Sequence, residues 1–161
     1  MCYVAKNMSP SISGTVLFWD LWFLICKQDL TYPKSHLSLN QLFCRAQWCP
    51  PCKAFNPDLV NFYDHVKRID GDLLEIIFIS SDSDQTAFTK YYGEMPWVAL
   101  PFHQTELRDD LIIHYEMSGI PKLIVLSGVD GTTKDLDARS TILAAESDIT
   151  SVLEQWANWL Q

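Results

Sequence analysis

The sequence predicts an α/β sandwich whose central sheet is parallel first and antiparallel at its end. Three observations carry this reading. Residues 73–80 and 122–126 are short, nearly continuous apolar runs, as expected of strands buried on both faces. Segments with apolar residues at helical spacing lie between and after them. Asp130-Gly131 is a hairpin turn signal, after which residues 132–136 return as an edge strand. The resulting order is strand, helix, strand, helix, strand, helix, then a hairpin and a closing helix, which is an α/β pattern. With 161 residues, 48% hydrophobic and 20% charged, the chain has the material for one domain with a sizeable core.

Taken in order, residues 1–40 form an N-terminal segment without clear periodicity, although Val16 to Ile25 holds two tryptophans and two phenylalanines. The domain proper is expected over residues 41–161. Residues 39–45 read as its first strand, with Leu39, Leu42, Phe43 and Cys44 fitting a buried position and Asn40, Gln41 and Arg45 not fitting. From Cys52 to about Arg68, Phe55, Leu59, Phe62, Tyr63 and Val66 fall on one helical face. Pro57 removes a hydrogen bond inside that helix and predicts a kink. Ser81 to Asp84 supply capping residues, Asp82 and Asp84 among them, for a short helix over residues 85–92 that Gly93 ends. Residues 97–102 are extended, with Pro96 and Pro101 limiting their pairing. A helix over residues 105–115 turns Leu107, Leu111 and Ile112 inward. The closing helix, capped by Ser147 or Asp148, carries Ile149, Val152, Leu153, Trp156, Trp159 and Leu160.

Composition excludes several classes. A formal net charge of −8 argues against general affinity for nucleic acid or anionic lipid. The longest apolar run, Val16 to Cys26, is interrupted by Asp20 and falls short of the about 20 residues a membrane span needs. As a secretory leader it lacks a basic flank beyond Lys6 and a small-residue cleavage site. Asn7-Met8-Ser9 is a glycosylation triplet by pattern alone. Five irregularly spaced cysteines do not make a secreted disulfide framework. A reducing compartment follows, the cytoplasm or the nucleus.

The chemistry concentrates in Trp48-Cys49-Pro50-Pro51-Cys52. Two cysteines three residues apart at a helix start face each other across one turn, at a separation that suits a disulfide. The helix end stabilises a thiolate, the reactive form of cysteine. Proline is tolerated there because its missing N–H would have had no partner. Since Pro50 and Pro51 lack N–H groups, Cys52 offers the nearest later backbone donor to the Cys49 sulfur. Cys49 is therefore the expected nucleophile and Cys52 the resolving thiol. The competing reading is a structural zinc site drawn from Cys26, Cys44, Cys49 and Cys52, which lacks a second close pair. Lys53 either adds positive charge near the thiolate or is simply solvated. Cys44 reads as buried and inert, and His65, His103 and His114 show no ligand spacing.

Further along, Phe55-Asn56-Pro57, Phe62-Tyr63, residues 79–84, Met95-Pro96-Trp97, Leu100-Pro101-Phe102 and Gly119-Ile120-Pro121-Lys122-Leu123 occur in one order. With the five-residue motif, they resemble the thioredoxin superfamily, and within it the tryparedoxin/nucleoredoxin branch. The resemblance covers about residues 42–161. Residues 1–41 do not share it, which reads as divergence or as a misassigned gene start or exon. The resemblance implies a thioredoxin-like three-layer sandwich and dithiol–disulfide oxidoreductase activity. It implies a cis bond at Ile120-Pro121, placing that backbone against the Cys49 sulfur where an extended substrate pairs with it. It also implies Trp48 as an exposed platform, so that Trp48, Pro50, Ile120 and Pro121 are candidate substrate contacts. Trp97 joins them, with core packing as its alternative. No bound cofactor is implied beyond the redox-active pair, with an external thiol (trypanothione or glutathione) or thioredoxin reductase as electron donor. The expected substrates are disulfide-containing proteins met by a monomer. Two functions fit these residues: a protein-disulfide reductase, and a redox-sensing module that binds signalling partners according to thiol state.

Overall fold

The computed structural model describes residues 20, 39–128, 131–145 and 148–158. Readings placed on residues 1–38 other than 20, and on Asp130, Ser147, Trp159 and Leu160, lie outside the described residues.

Five strands form one sheet in the order β3-β2-β1-β4-β5. They are β1 (Leu39–Arg45), β2 (Leu74–Ser80), β3 (Val98–Ala99), β4 (Lys122–Ser127) and β5 (Thr133–Asp135). β1 pairs parallel with β2, from Leu39 opposite Leu74 to Arg45 opposite Ser80. On its other side β1 pairs antiparallel with β4, from Leu39 opposite Ser127 to Cys44 opposite Lys122. β3 adds a short parallel edge, as the flanking prolines require, and β5 an antiparallel one. Gly131, in the turn ahead of β5, has φ 72°, a conformation open to glycine without steric cost.

Helices cover both faces: α1 (Pro50–Ile69), α2 (Gln85–Tyr92), α3 (Thr105–His114), α4 (Ala138–Ala144) and α5 (Ile149–Ala157). Strand alternation divides the apolar residues between two cores. On one face Leu39, Phe43, Ile76, Phe78, Leu123 and Val125 pack against α1, α2, α4 and α5. On the other, Leu42, Ile77, Ile79, Ile124 and Leu126 meet Leu111 of α3 with Tyr115 and Met117. The molecule is the three-layer α/β sandwich expected. The closing helix seals the larger core through Trp156, whose ring meets Phe62 edge-on at 5.5 Å.

Helix α1 runs on through Pro57. Asp84 caps α2 by accepting from the Ala87 N–H, and Asp148 caps α5 by accepting from Ser151. Asp82 is not a cap and belongs to the site described below. Helix α4 is an element the sequence pattern did not announce.

Strand β1 is central and wholly buried, including Asn40, Gln41 and Arg45. Among the described residues, neither side-chain amide atom of Gln41 has a hydrogen-bond partner. Next to it, the buried Glu75 of β2 is well served: the Tyr63 hydroxyl donates to it at 2.9 Å and the Lys67 ammonium lies 3.2 Å away. Burial first, and then the Glu75 carboxylate, push the Tyr63 phenol far above its usual range.

Candidate redox site

The site forms where β1 ends and α1 begins. Cys49 is the N-cap of α1, with extended backbone (φ −94°, ψ 107°) and Pro50 and Pro51 in the first turn behind it. Its Sγ accepts the Cys52 N–H at 3.3 Å, the one donor that the two prolines leave within reach. Cys49 and Cys52 are joined as a disulfide with Cα atoms 5.3 Å apart, inside the normal span for such a bridge. Cys49 is 3% exposed and Cys52 0%, so what access there is to the bridge falls on the Cys49 side.

Three segments hold this turn. The Ser81 N–H donates to the Arg45 carbonyl at 2.9 Å, carrying the parallel ladder one residue beyond β2. Asp82, 4% exposed, accepts the Gln47 N–H at 2.8 Å on one oxygen and the Ser80 hydroxyl at 2.9 Å on the other. That carboxylate fastens the loop bearing Trp48 and Cys49 to the end of the neighbouring strand. Finally, the start of β4 brings the cis Ile120-Pro121 peptide alongside, with the Ile120 carbonyl oxygen 3.9 Å from the Cys49 sulfur. Gly119, at φ 79°, makes the bend into this loop.

Around the sulfur, Trp48 is 62% exposed and Pro50 is exposed, while Ile120 and Pro121 are half-buried. Trp48 and Pro50 adjoin Cys49 in the chain, and the Ile120 carbonyl lies against its sulfur. Trp97 does not join them. It is 3% exposed and its ring packs edge-on against Phe43 at 6.2 Å and Tyr63 at 5.5 Å. A ring enclosed by core aromatics has no face to offer a substrate, so the substrate-contact reading of Trp97 gives way to its packing alternative. Cys44 is buried in the smaller core with its sulfur 3.4 Å from the Ser81 hydroxyl, and burial raises its thiol pKa. Of the four cysteines in the zinc reading, Cys26 lies outside the described residues, Cys44 is engaged with Ser81, and the other two are bonded to each other. Among the described residues, no group of three or more histidine, cysteine or acidic side chains is arranged to hold a metal.

Two residues were missed from sequence: Asp82, read as a cap, and Arg45, read as a misfit in its strand. The signal for Asp82 is its place two residues past a core strand that adjoins the motif strand.

A family model described as thioredoxin-like matches residues 38–133. Probable nucleoredoxin 1 of Arabidopsis thaliana is 40% identical over 153 residues, 94% of this chain and 26% of that protein. Tryparedoxin of Trypanosoma brucei brucei is 36% identical over 104 residues, 63% of this chain and 69% of that one. A solved tryparedoxin II, complexed with glutathionylspermidine, superposes with a TM-score of 0.63 at 29% identity, covering 68% of this chain and 77% of that one. The chain belongs to the thioredoxin-like family of oxidoreductases, in its tryparedoxin and nucleoredoxin branch. It spans about a quarter of the Arabidopsis relative's length. With 94% of the chain aligned there, the likeness reaches into residues 1–41, which corrects the expectation that it begins at residue 42.

Proposed function

We propose that the protein reduces disulfides in protein substrates by dithiol exchange, with Cys49 as nucleophile and Cys52 as resolving thiol. The carrying observation is the pairing of these two sulfurs across the first turn of α1, with the Ile120 carbonyl 3.9 Å from Cys49. In the reduced protein the Cys49 thiolate attacks one sulfur of the substrate disulfide. A mixed disulfide forms and the other substrate sulfur leaves as a thiolate. Cys52 then loses its proton and attacks the Cys49 sulfur, expelling the second substrate thiolate and closing the Cys49–Cys52 bond. Two electrons have passed to the substrate, and an external dithiol or reductase returns them. The Cys52 N–H, which donates to the Cys49 sulfur, and the dipole of α1 both favour the thiolate. Trp48 and Pro50 flank the sulfur, while Ile120 and Pro121 offer backbone to an extended substrate segment. The electron donor is an external thiol or a reductase, and the glutathionylspermidine bound to the solved tryparedoxin II supports the thiol. The reaction belongs in a reducing compartment, the cytoplasm or nucleus.

The test is turnover of an insulin disulfide with dithiothreitol as donor. Cys49→Ser abolishes it. Cys52→Ser also stops turnover but accumulates a covalent adduct with the substrate, visible by non-reducing electrophoresis and mass spectrometry. Absence of an adduct in Cys52→Ser would overturn the assignment of roles. Negligible turnover by the unmodified protein, with partner capture that depends on thiol state, would favour the redox-sensing module instead.

A further inference from the structure

Arg45 has no part in the exchange just described. It ends β1, is 0% exposed, and carries a charge into the interior beside the motif. One of its nitrogens, Nη1, donates to the Asn56 side-chain oxygen. The guanidinium carbon lies 3.9 Å from the centre of the Tyr91 ring and 5.0 Å from that of Phe43. Among the described residues, Nε and Nη2 have no hydrogen-bond partner. No carboxylate of the described residues lies within 4.0 Å of this cation. Glu94 and, less strongly, Asp82 act on it only from a distance, and both Asp82 oxygens are already engaged by Gln47 and Ser80. An arginine buried with free donors and no ion-pair partner is costly unless something supplies the oxygens it lacks.

Arg45 is among the residues that line a cleft of about 360 Å³ between the first turns of α1 and the end of α2. Lys53 and Asn56 line it from α1, Lys90 and Tyr91 from α2, and Glu94 follows just beyond. Three cations thus face one carboxylate, on a chain whose net charge is −8. Lys53, Lys90 and Glu94 are exposed and move easily, whereas Arg45 is fixed by Asn56 and its two rings. Burial lowers the Arg45 pKa to about 10, which leaves it charged at neutral pH.

The geometry points to this cleft as a binding site for a small oxyanion, a carboxylate or a phosphate group, held by the free Nε–H and Nη2–H of Arg45 with Lys53 and Lys90 closing over it. Arginine presents paired donors in a fixed plane that suits the two oxygens of such a group. The cleft adjoins the redox pair, since Lys53 directly follows Cys52 and Gln47, also in its wall, directly precedes Trp48. A disulfide or thiol bearing an anionic group would therefore gain a second point of attachment next to the exchanging sulfur. That consequence rests on the reductase reading, and the binding site itself does not.

Titration calorimetry of the full chain with inorganic phosphate, and separately with succinate, at constant ionic strength tests the site. Saturable binding of either anion is expected, phosphate alone indicating a phosphorylated ligand and succinate alone a carboxylate one. Arg45→Met risks misfolding, so the exposed rim carries the decision. The double variant Lys53→Ala/Lys90→Ala should weaken binding by roughly tenfold or more, and Glu94→Gln should tighten it by removing a like charge. No saturable heat with either anion, or binding unchanged in the double variant, would overturn the proposal. So would a Glu94→Gln protein that melts earlier with anion affinity unchanged, which would make Glu94 the partner of Arg45. No redox turnover enters the measurement, so failure here leaves the reductase reading standing.

Discussion

At the scale of single residues, reactivity in this protein depends on how firmly one loop is tied down. Asp82 spends both oxygens on that task, one on the Gln47 N–H and one on the Ser80 hydroxyl. Asp82→Ala leaves two donors without their acceptor and should cost about 1–3 kcal/mol, read as a lower urea midpoint. It should also slow insulin-disulfide reduction at saturating substrate, because Cys49 is then less firmly placed. Asp82→Asn keeps an acceptor for Gln47 and should recover much of the rate, which a purely charge-based role would not allow. Cys44 shows the opposite case. Its thiol sits behind the sheet, where burial raises its pKa and outweighs the Ser81 hydrogen bond and the Arg108 charge that favour the anion alkylation or exchange requires.

At the scale of elements, β1 teaches most about what can be read from sequence. Its neighbours β2 and β4 are apolar runs and were legible from composition alone, as were α1, α3 and α5 from their spacing and α2 from its capping residues and Gly93. β1 carries Asn40, Gln41 and Arg45, so its local signal is poor, yet among the described strands it is the one paired at length on both sides, Leu39–Arg45 with β2 and Leu39–Cys44 with β4. Pairing with two strong strands overrides weak intrinsic preference. The misfit has a measurable consequence at Gln41, whose buried amide lacks partners among the described residues. Gln41→Leu should stabilise the protein by about 1–2 kcal/mol in urea unfolding, and a loss of stability would show that the amide is paired. Helix α4 escaped notice because only Ala138 and Ile142 of its residues are buried, too few to set up a period. Trp97 was misread for another reason: a tryptophan near a motif in sequence carries no mark of which side of the sheet it faces. The contact between Ile120 and Cys49 was legible only through family resemblance, since no spacing rule links residues 71 positions apart.

At the scale of the whole molecule, two cores of unequal size flank the sheet, and the larger depends on the last described helix. Trp156 is fully buried against Phe62. Trp156→Ala should therefore lower stability by about 3–5 kcal/mol, followed by thermal melting, while the Cys49–Cys52 chemistry of the surviving folded fraction stays intact. The antiparallel ladder between β1 and β4 sets Cys44 opposite Lys122, and so holds the Ile120 carbonyl at the motif's door. The site is consequently an object of the assembled sheet rather than of the stretch that contains its cysteines. A peptide excised around Trp48 to Cys52 keeps both thiols but loses the Ile120 carbonyl that lies against Cys49. Chain cleavage anywhere that lets β4 drift from β1 would disarm the protein without touching a sulfur atom.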